Sequence, residues 1–71
     1  MSRYSKGDTV KWNWGQGDAS GTVKEVFTDT VTRTIKGNEI KRKATEDNPA
    51  YLIEQDDGDH VLKSESELES D

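Results

Sequence analysis

The sequence predicts an all-β domain: a small antiparallel barrel of five to six short strands, with a projecting hairpin and a short C-terminal helical turn. Apolar and polar side chains alternate in short runs, turn-forming residues separate these runs, and no long helical period is present. At 71 residues the chain has room for one small domain. Closing the sheet into a barrel removes the strand edges that a two-sheet sandwich would leave open.

Composition narrows the class of protein further. The chain carries 15 Asp and Glu against 10 Lys and Arg, a formal net charge of −5. Leu, Ile, Val and Phe make up only about 17% of the residues, so a fold has to depend on its few aromatic rings. The absence of cysteine excludes a disulfide scaffold and cysteine-based zinc sites. No apolar run is long enough for a membrane span or a signal-peptide core, so we expect a cytoplasmic protein.

The alternating runs place the strands in chain order. They are Thr9–Trp14, Ser20–Thr28, Thr30–Ile35, Ile40–Ala44, Tyr51–Gln55 and His60–Lys63. In the second strand the step from Val23 to Val26 breaks the two-residue period, which predicts a β-bulge near Lys24 and Glu25. A bulge of this kind bends a strand as a small barrel requires.

Turn chemistry separates these strands. The strongest turn signals are Gly15–Asp18, Lys36–Asn38 and Asp56–Asp59. The second of them closes a hairpin near residues 31–44. Ser64–Glu67 matches a capping box and predicts one helical turn. We therefore expect a single domain over residues 6–68, with flexible tails at 1–5 and 69–71.

Four short stretches resemble one known family. They are WNWG at 12–15, TRTI at 32–35, NPAY at 48–51 and QDDG at 55–58. Together they make the chain similar, over about residues 6–68, to the hypervirulence-associated protein TUDOR domain family. The resemblance implies an SH3-like, or Tudor-like, antiparallel β-barrel. It implies little about activity, because the family is largely uncharacterised and named for its fold, and a fold does not determine a function.

Three aromatic residues are candidates for ligand binding. Trp12 and Trp14 lie on the same face of the first strand. We expect Trp12 in the core, with a possible share in a ligand platform, and Trp14 at the barrel mouth as either a lid on the core or part of that platform with Tyr51. A cage for methylated lysine or arginine needs several rings around one cation. Trp14 and Tyr51 could contribute to one, with Asp56 and Asp57 attracting the cation.

The predicted hairpin concentrates positive charge. Residues 1–45 have a net charge of +4, and residues 46–71 have −9. The basic residues of the hairpin are Arg33, Lys36, Lys41, Arg42 and Lys43. They could contact the phosphates of a nucleic acid or form the rim of a protein-binding site. Two structural explanations are also open: a charged edge that prevents aggregation, and internal neutralisation by the acidic C-terminal strands.

Catalysis has little support in the sequence. His60 is the single histidine, cysteine is absent, and Gly15–Gly17 lacks the strand-to-helix setting of a phosphate loop. Asp56–Asp59 does not have the spacing of an EF-hand loop. We expect a non-catalytic binding module without metal or cofactor. The main hypothesis is a protein partner and the alternative is a nucleic acid, with no membrane role and a monomeric or weakly dimeric state.

Overall fold

The computed structural model describes residues 3–70, with the side chains of Trp14 and Ser70 excepted. Within these residues, seven strands and one 3₁₀ turn follow one another. They are β1 (Thr9–Trp14), β2 (Gly17–Phe27), β3 (Val31–Ile35), β4 (Asn38–Arg42), β5 (Ala50–Gln55), β6 (His60–Ser64), the 3₁₀ turn η1 (Glu65–Glu67) and β7 (Glu69–Ser70). The all-β prediction is confirmed. In the described residues no helix has the length and apolar character that crossing a membrane would require.

The strands form two antiparallel sheets. The larger has the order β6-β5-β2-β1-β7, and the smaller is the β3–β4 hairpin. This hairpin lies between β2 and β5 in the sequence, and both of its strands contact β6. It is therefore an insertion into a five-stranded sheet rather than a member of that sheet.

Strand β2 contains the bulge that the sequence predicts. Its register with β5 shifts between Val23 and Glu25, so Lys24 is the extra residue. The shift allows Val23 and Val26 both to pack against the same core despite their three-residue spacing. β2 also begins earlier than expected, at Gly17, because the turn before it consists only of Gly15 and Gln16.

The β3–β4 hairpin closes with a two-residue turn. Lys36 and Gly37 have φ angles of 52° and 79°, and Ile35 pairs with Asn38. Two successive positive φ angles are typical of a type I′ turn, whose twist matches that of the strands it joins. The register then places Arg33 and Arg42 on one face of the hairpin and Lys41 on the other.

Two apolar clusters pack on opposite faces of β5. The first core contains Tyr51 and Ile53 from β5 together with residues of β1, β2 and the two ends of the chain; its members are Tyr4, Val10, Trp12, Val23, Tyr51, Ile53 and Leu68. The second lies beneath the hairpin and consists of Val31, Ala44, Ala50 and Leu62, with Phe27, Ile35, Ile40 and Leu52 packed against it. The hairpin therefore covers the face of the sheet that points away from the first core.

Both ends of the chain are joined to this fold. Tyr4 is buried in the first core, and Glu69 of β7 pairs with Lys11 of β1. Residues within the segments expected as tails therefore contribute to the packed domain. In η1 the backbone N–H of Ser64 donates to the Glu67 carboxylate at 3.1 Å, as expected for the acidic residue of a capping box.

Candidate functional site

The aromatic residues that the sequence analysis proposed for ligand binding are buried wherever their side chains are described. Trp12 is 1% exposed, which confirms its placement in the core and removes it as an accessible platform. Tyr51 is fully buried, so its expected place on an exposed platform is wrong. The side chain of Trp14 lies outside the described part of the chain. Of the four described rings, Phe27 alone retains exposure beyond the buried class, and no cage with Tyr51 as an accessible wall is formed.

The Tyr51 hydroxyl joins three parts of the chain. It accepts hydrogen bonds from the backbone N–H groups of Arg3 and Tyr4 at 3.2 and 3.3 Å, and it donates to Glu65 Oε1 at 2.8 Å. The Tyr4 ring packs edge-on against the Tyr51 ring, with the centroids 5.5 Å apart. Burial, followed by the hydrogen bond to Glu65, raises the pKa of Tyr51, so the hydroxyl keeps the proton that it donates. Tyr51 has a structural role in this arrangement.

We expect Tyr51→Phe to lower the free energy of unfolding by about 1–3 kcal/mol, because the buried N–H of Tyr4 loses its acceptor and Glu65 loses a donor. The N–H of Arg3 keeps the Glu65 carboxylate, 2.7 Å away, as its acceptor. Urea denaturation followed by circular dichroism measures the change. Tyr4→Phe is the matched control. The Tyr4 hydroxyl is buried and has no hydrogen-bond partner among the described residues, so its removal should cost little. Equal losses in the two variants would contradict this assignment.

Three of the five hairpin cations are paired within the molecule. Arg33 lies 3.3 Å from Glu25 and 5.0 Å from the centre of the Phe27 ring. The other two pairs reach the acidic second half of the chain: Lys36 with Asp59 at 2.6 Å, and Arg42 with Glu67 at 3.2 Å. Internal neutralisation, one of the explanations open at the sequence level, therefore accounts for much of the hairpin charge.

Lys41 and Lys43 differ from these three. Both are exposed, and neither forms an ion pair within the region that the structure describes. Lys41 pairs across the hairpin with Thr32, on the face that points away from the second cluster. Among the described residues they are consequently the two hairpin cations without an internal anionic partner.

The ion pair of Lys36 and Asp59 joins the tip of the hairpin to the turn between β5 and β6. Its hydrogen bond raises the pKa of Lys36 and lowers that of Asp59. Because the folded pKa of Asp59 is depressed, the stabilisation from this carboxylate is present at neutral pH and is lost in acid as Asp59 takes up a proton. Lys36 is exposed and Asp59 is partly exposed, so the contribution is screened by salt.

A groove runs between the hairpin and the β5–β6 region, and we call it the hairpin groove. It consists of three adjoining recesses of about 370, 460 and 200 Å³, all of which Ile35 and His60 help to line. Its aliphatic residues are Ile35, Ile40, Leu52, Val61 and Leu62. Its charged residues are Arg33, Lys36, Arg42, Asp59 and Lys63.

The hairpin groove contains some of the residues singled out in the sequence and several that were not. Arg33, Lys36 and Arg42 were predicted and do line it, whereas Lys41 and Lys43 do not belong to its lining. The aliphatic residues and His60 were missed as site residues. Their only sequence signal is ordinary strand alternation, which does not show that a hairpin folds back across the sheet.

His60 is half-buried in the groove, and its Nε2 lies 3.6 Å from Glu54 Oε2. The neighbouring turn is tight: Gln55 donates its N–H to the Asp59 carbonyl at 2.7 Å, and Gly58 has a φ of 88°. The run Asp56–Asp59 therefore forms a tight turn, as the sequence predicts. A turn with this geometry positions Asp59 for Lys36 and His60 for the groove.

Comparison with known families agrees with this architecture. A sequence model described as Hypervirulence associated proteins TUDOR domain matches residues 7–68. The chain belongs to this family. The resemblance noted in the sequence is thus confirmed, and the all-β chain is a Tudor-like domain. No curated protein and no solved structure matches the chain. Tudor domains are typically non-catalytic.

Proposed function

We propose that this Tudor-like domain is a non-catalytic protein-binding module and that the hairpin groove is its ligand site. The observation that carries the proposal is the convergence of half-exposed Ile35, Ile40, Leu52 and Val61 from four strands between charged rims. Ligand sites in proteins combine an apolar floor with a few charged or polar groups that orient the ligand. In this proposal the charged residues of the hairpin form the rim of the ligand site. The aliphatic groove takes the role that the sequence analysis gave to an aromatic platform of Tyr51 and Trp12, since both rings are buried.

The chemistry of the groove supports binding over catalysis. General acid–base catalysis uses a group whose pKa is tuned by burial and whose proton is free to move. Asp59 is instead partly exposed, and its hydrogen bond with Lys36 lowers the pKa of its carboxyl group. His60 faces Glu54 from a shallow, solvent-open position. These groups are suited to orienting a ligand.

Ile40→Ala tests the groove with a peptide enriched on the full chain from a random peptide library. We expect the variant to bind this peptide roughly tenfold more weakly, because Ile40 supplies apolar surface to two of the recesses. Isothermal titration calorimetry measures the change. Val26→Ala is the control, since Val26 is equally half-buried but packs against the first core. Unchanged affinity in Ile40→Ala, with circular dichroism showing a folded domain, would refute the site.

A nucleic-acid role is the second candidate, and the unpaired Lys41 and Lys43 favour it. Two accessible lysines would release few counterions from a nucleic acid. The logarithm of the affinity for an oligonucleotide would therefore fall with the logarithm of the salt concentration at a slope no steeper than about −2. The acidic net charge of −5 also opposes the approach of a polyanion. Both considerations favour the protein ligand.

A further inference from the structure

We infer that the hairpin groove recognises a short extended peptide in which an aliphatic side chain stands beside a carboxylate. The inference rests on the proposed function and adds the chemistry of the partner. It starts from the charge of the groove. The described lining has four cations and one carboxylate, Asp59. Glu25 and Glu67 form ion pairs with two of these cations, so the cluster as a whole has a net charge of +1 in a protein of net charge −5. A site of opposite sign to its own protein indicates an anionic ligand.

The remaining positive charge lies at Arg42 and Lys63. Arg42 and Lys63 share a single partner, Glu67, at 3.2 and 3.7 Å. The three side chains together retain one positive charge. Arg42 is 37% exposed and Lys63 is 21% exposed, so a carboxylate from outside can reach both groups without removing Glu67.

An apolar recess lies directly beside this charge. The 200 Å³ recess is lined by Arg42 and Lys63 together with Ile35, Ile40 and Val61. An aliphatic side chain placed among the three hydrophobic residues would have its neighbouring backbone within reach of the two cations. The recess therefore binds an apolar group and an anionic group of the same ligand side by side.

This combination favours a peptide over a nucleic acid. The phosphate backbone of a nucleic acid would satisfy the cations but would leave Ile35, Ile40 and Val61 without an apolar partner. The second half of the chain, residues 46–71, carries a charge of −9 and repels a long polyanion more strongly than a peptide with one or two carboxylates. An extended acidic peptide satisfies both features at a smaller electrostatic cost.

Selection of dodecapeptides from a random library on the full chain provides the test. We expect the enriched peptides to carry Asp or Glu next to Leu, Ile or Val. Replacing that carboxylate by its amide should weaken binding about tenfold, because one charge-assisted contact is lost. Arg42→Gln should lower the affinity for the acidic peptide by a similar factor and have little effect on the affinity for the amide form. Lys6→Gln, which changes the charge equally in an exposed turn outside the groove, is the matched control.

The outcomes separate the inference from the proposed function. Backbone chemical-shift mapping shows whether the enriched peptides bind in the groove. If they bind there but have no carboxylate, or bind Arg42→Gln as tightly as the wild type, the inference is wrong and the proposed binding site remains. Shifts that map outside the groove, or no enriched peptide at all, overturn both. An oligothymidylate that displaces the enriched peptide from the groove at physiological salt would assign the site to nucleic acid instead.

Discussion

Trp12→Ala is expected to leave the domain largely unfolded at room temperature. Trp12 is 1% exposed and belongs to the first core, where it is the largest fully buried side chain. Truncating a buried tryptophan to alanine costs about 3–5 kcal/mol. In a domain of this length a single hydrophobic core rarely supplies more than about 3–5 kcal/mol of stability, so the substitution removes most of it. The loss should appear as a collapsed amide proton spectrum and, before any urea is added, as the circular dichroism of an unfolded chain.

Trp12→Phe tests whether the volume of the Trp12 side chain, rather than a hydrogen bond of its indole N–H, stabilises the first core. The Trp12 indole N–H is buried and has no hydrogen-bond partner among the described residues, so its removal sacrifices no such contact. We expect this variant to fold with a loss smaller than that of the alanine variant, since the phenyl ring refills part of the space. A Trp12→Ala protein with a wild-type denaturation midpoint would refute the central place of this ring in the core.

Gly21→Ala is expected to cost about 3 kcal/mol or more, at the upper end of the range for overpacking a protein interior. A Cβ atom at Gly21 would lie 2.5 Å from the carbonyl oxygen of Glu54 and 2.6 Å from Cγ2 of Ile53. The first of these atoms is backbone, so the contact is relieved only by moving β5 away from β2. In a domain of this size such a loss lowers the melting temperature by more than about 12 °C.

Ser20→Ala is the control for Gly21→Ala. Ser20 is exposed and immediately precedes Gly21 in β2, so it tests the same strand without the close approach. Differential scanning calorimetry of the two variants measures the difference. A melting temperature of Gly21→Ala within about 4 °C of the wild type would mean that the two strands separate at little cost, contrary to their tight packing.

Local features of the fold could be predicted from the sequence because they depend on neighbouring residues. The bounds of β1 follow from the alternation in Thr9–Trp14, and the bulge follows from the spacing of Val23 and Val26. The turn at Lys36 and Gly37 is likewise encoded in adjacent residues. In each case the physical cause acts over a few positions of the chain.

The orientation of Tyr51 could not be predicted in the same way. Alternation identifies the buried face of a strand only when the other face is in solvent. β5 is covered on both sides, with Tyr51 in the first core and Ala50 in the second cluster. The pattern AYLI at 50–53 therefore does not show whether the Tyr51 ring is buried or exposed. The hydrogen-bond partners of its hydroxyl, Arg3 and Glu65, lie far away in sequence.

The hairpin groove was beyond sequence reasoning for a related reason. It exists because the β3–β4 insertion packs across the sheet, which brings Ile40 next to Val61. The charges of the hairpin were visible, but their partners Asp59 and Glu67 were not, since nothing local connects them. Long-range packing, rather than residue type, determines which of the five cations line the groove.

The two apolar clusters have no residue in common, and this separation has an evolutionary consequence. Substitutions in residues 31–42 can change the shape and charge of the hairpin groove while the cluster around Trp12 continues to stabilise the larger sheet. Relatives that keep this sheet and vary the insertion would then carry different grooves on one inherited scaffold.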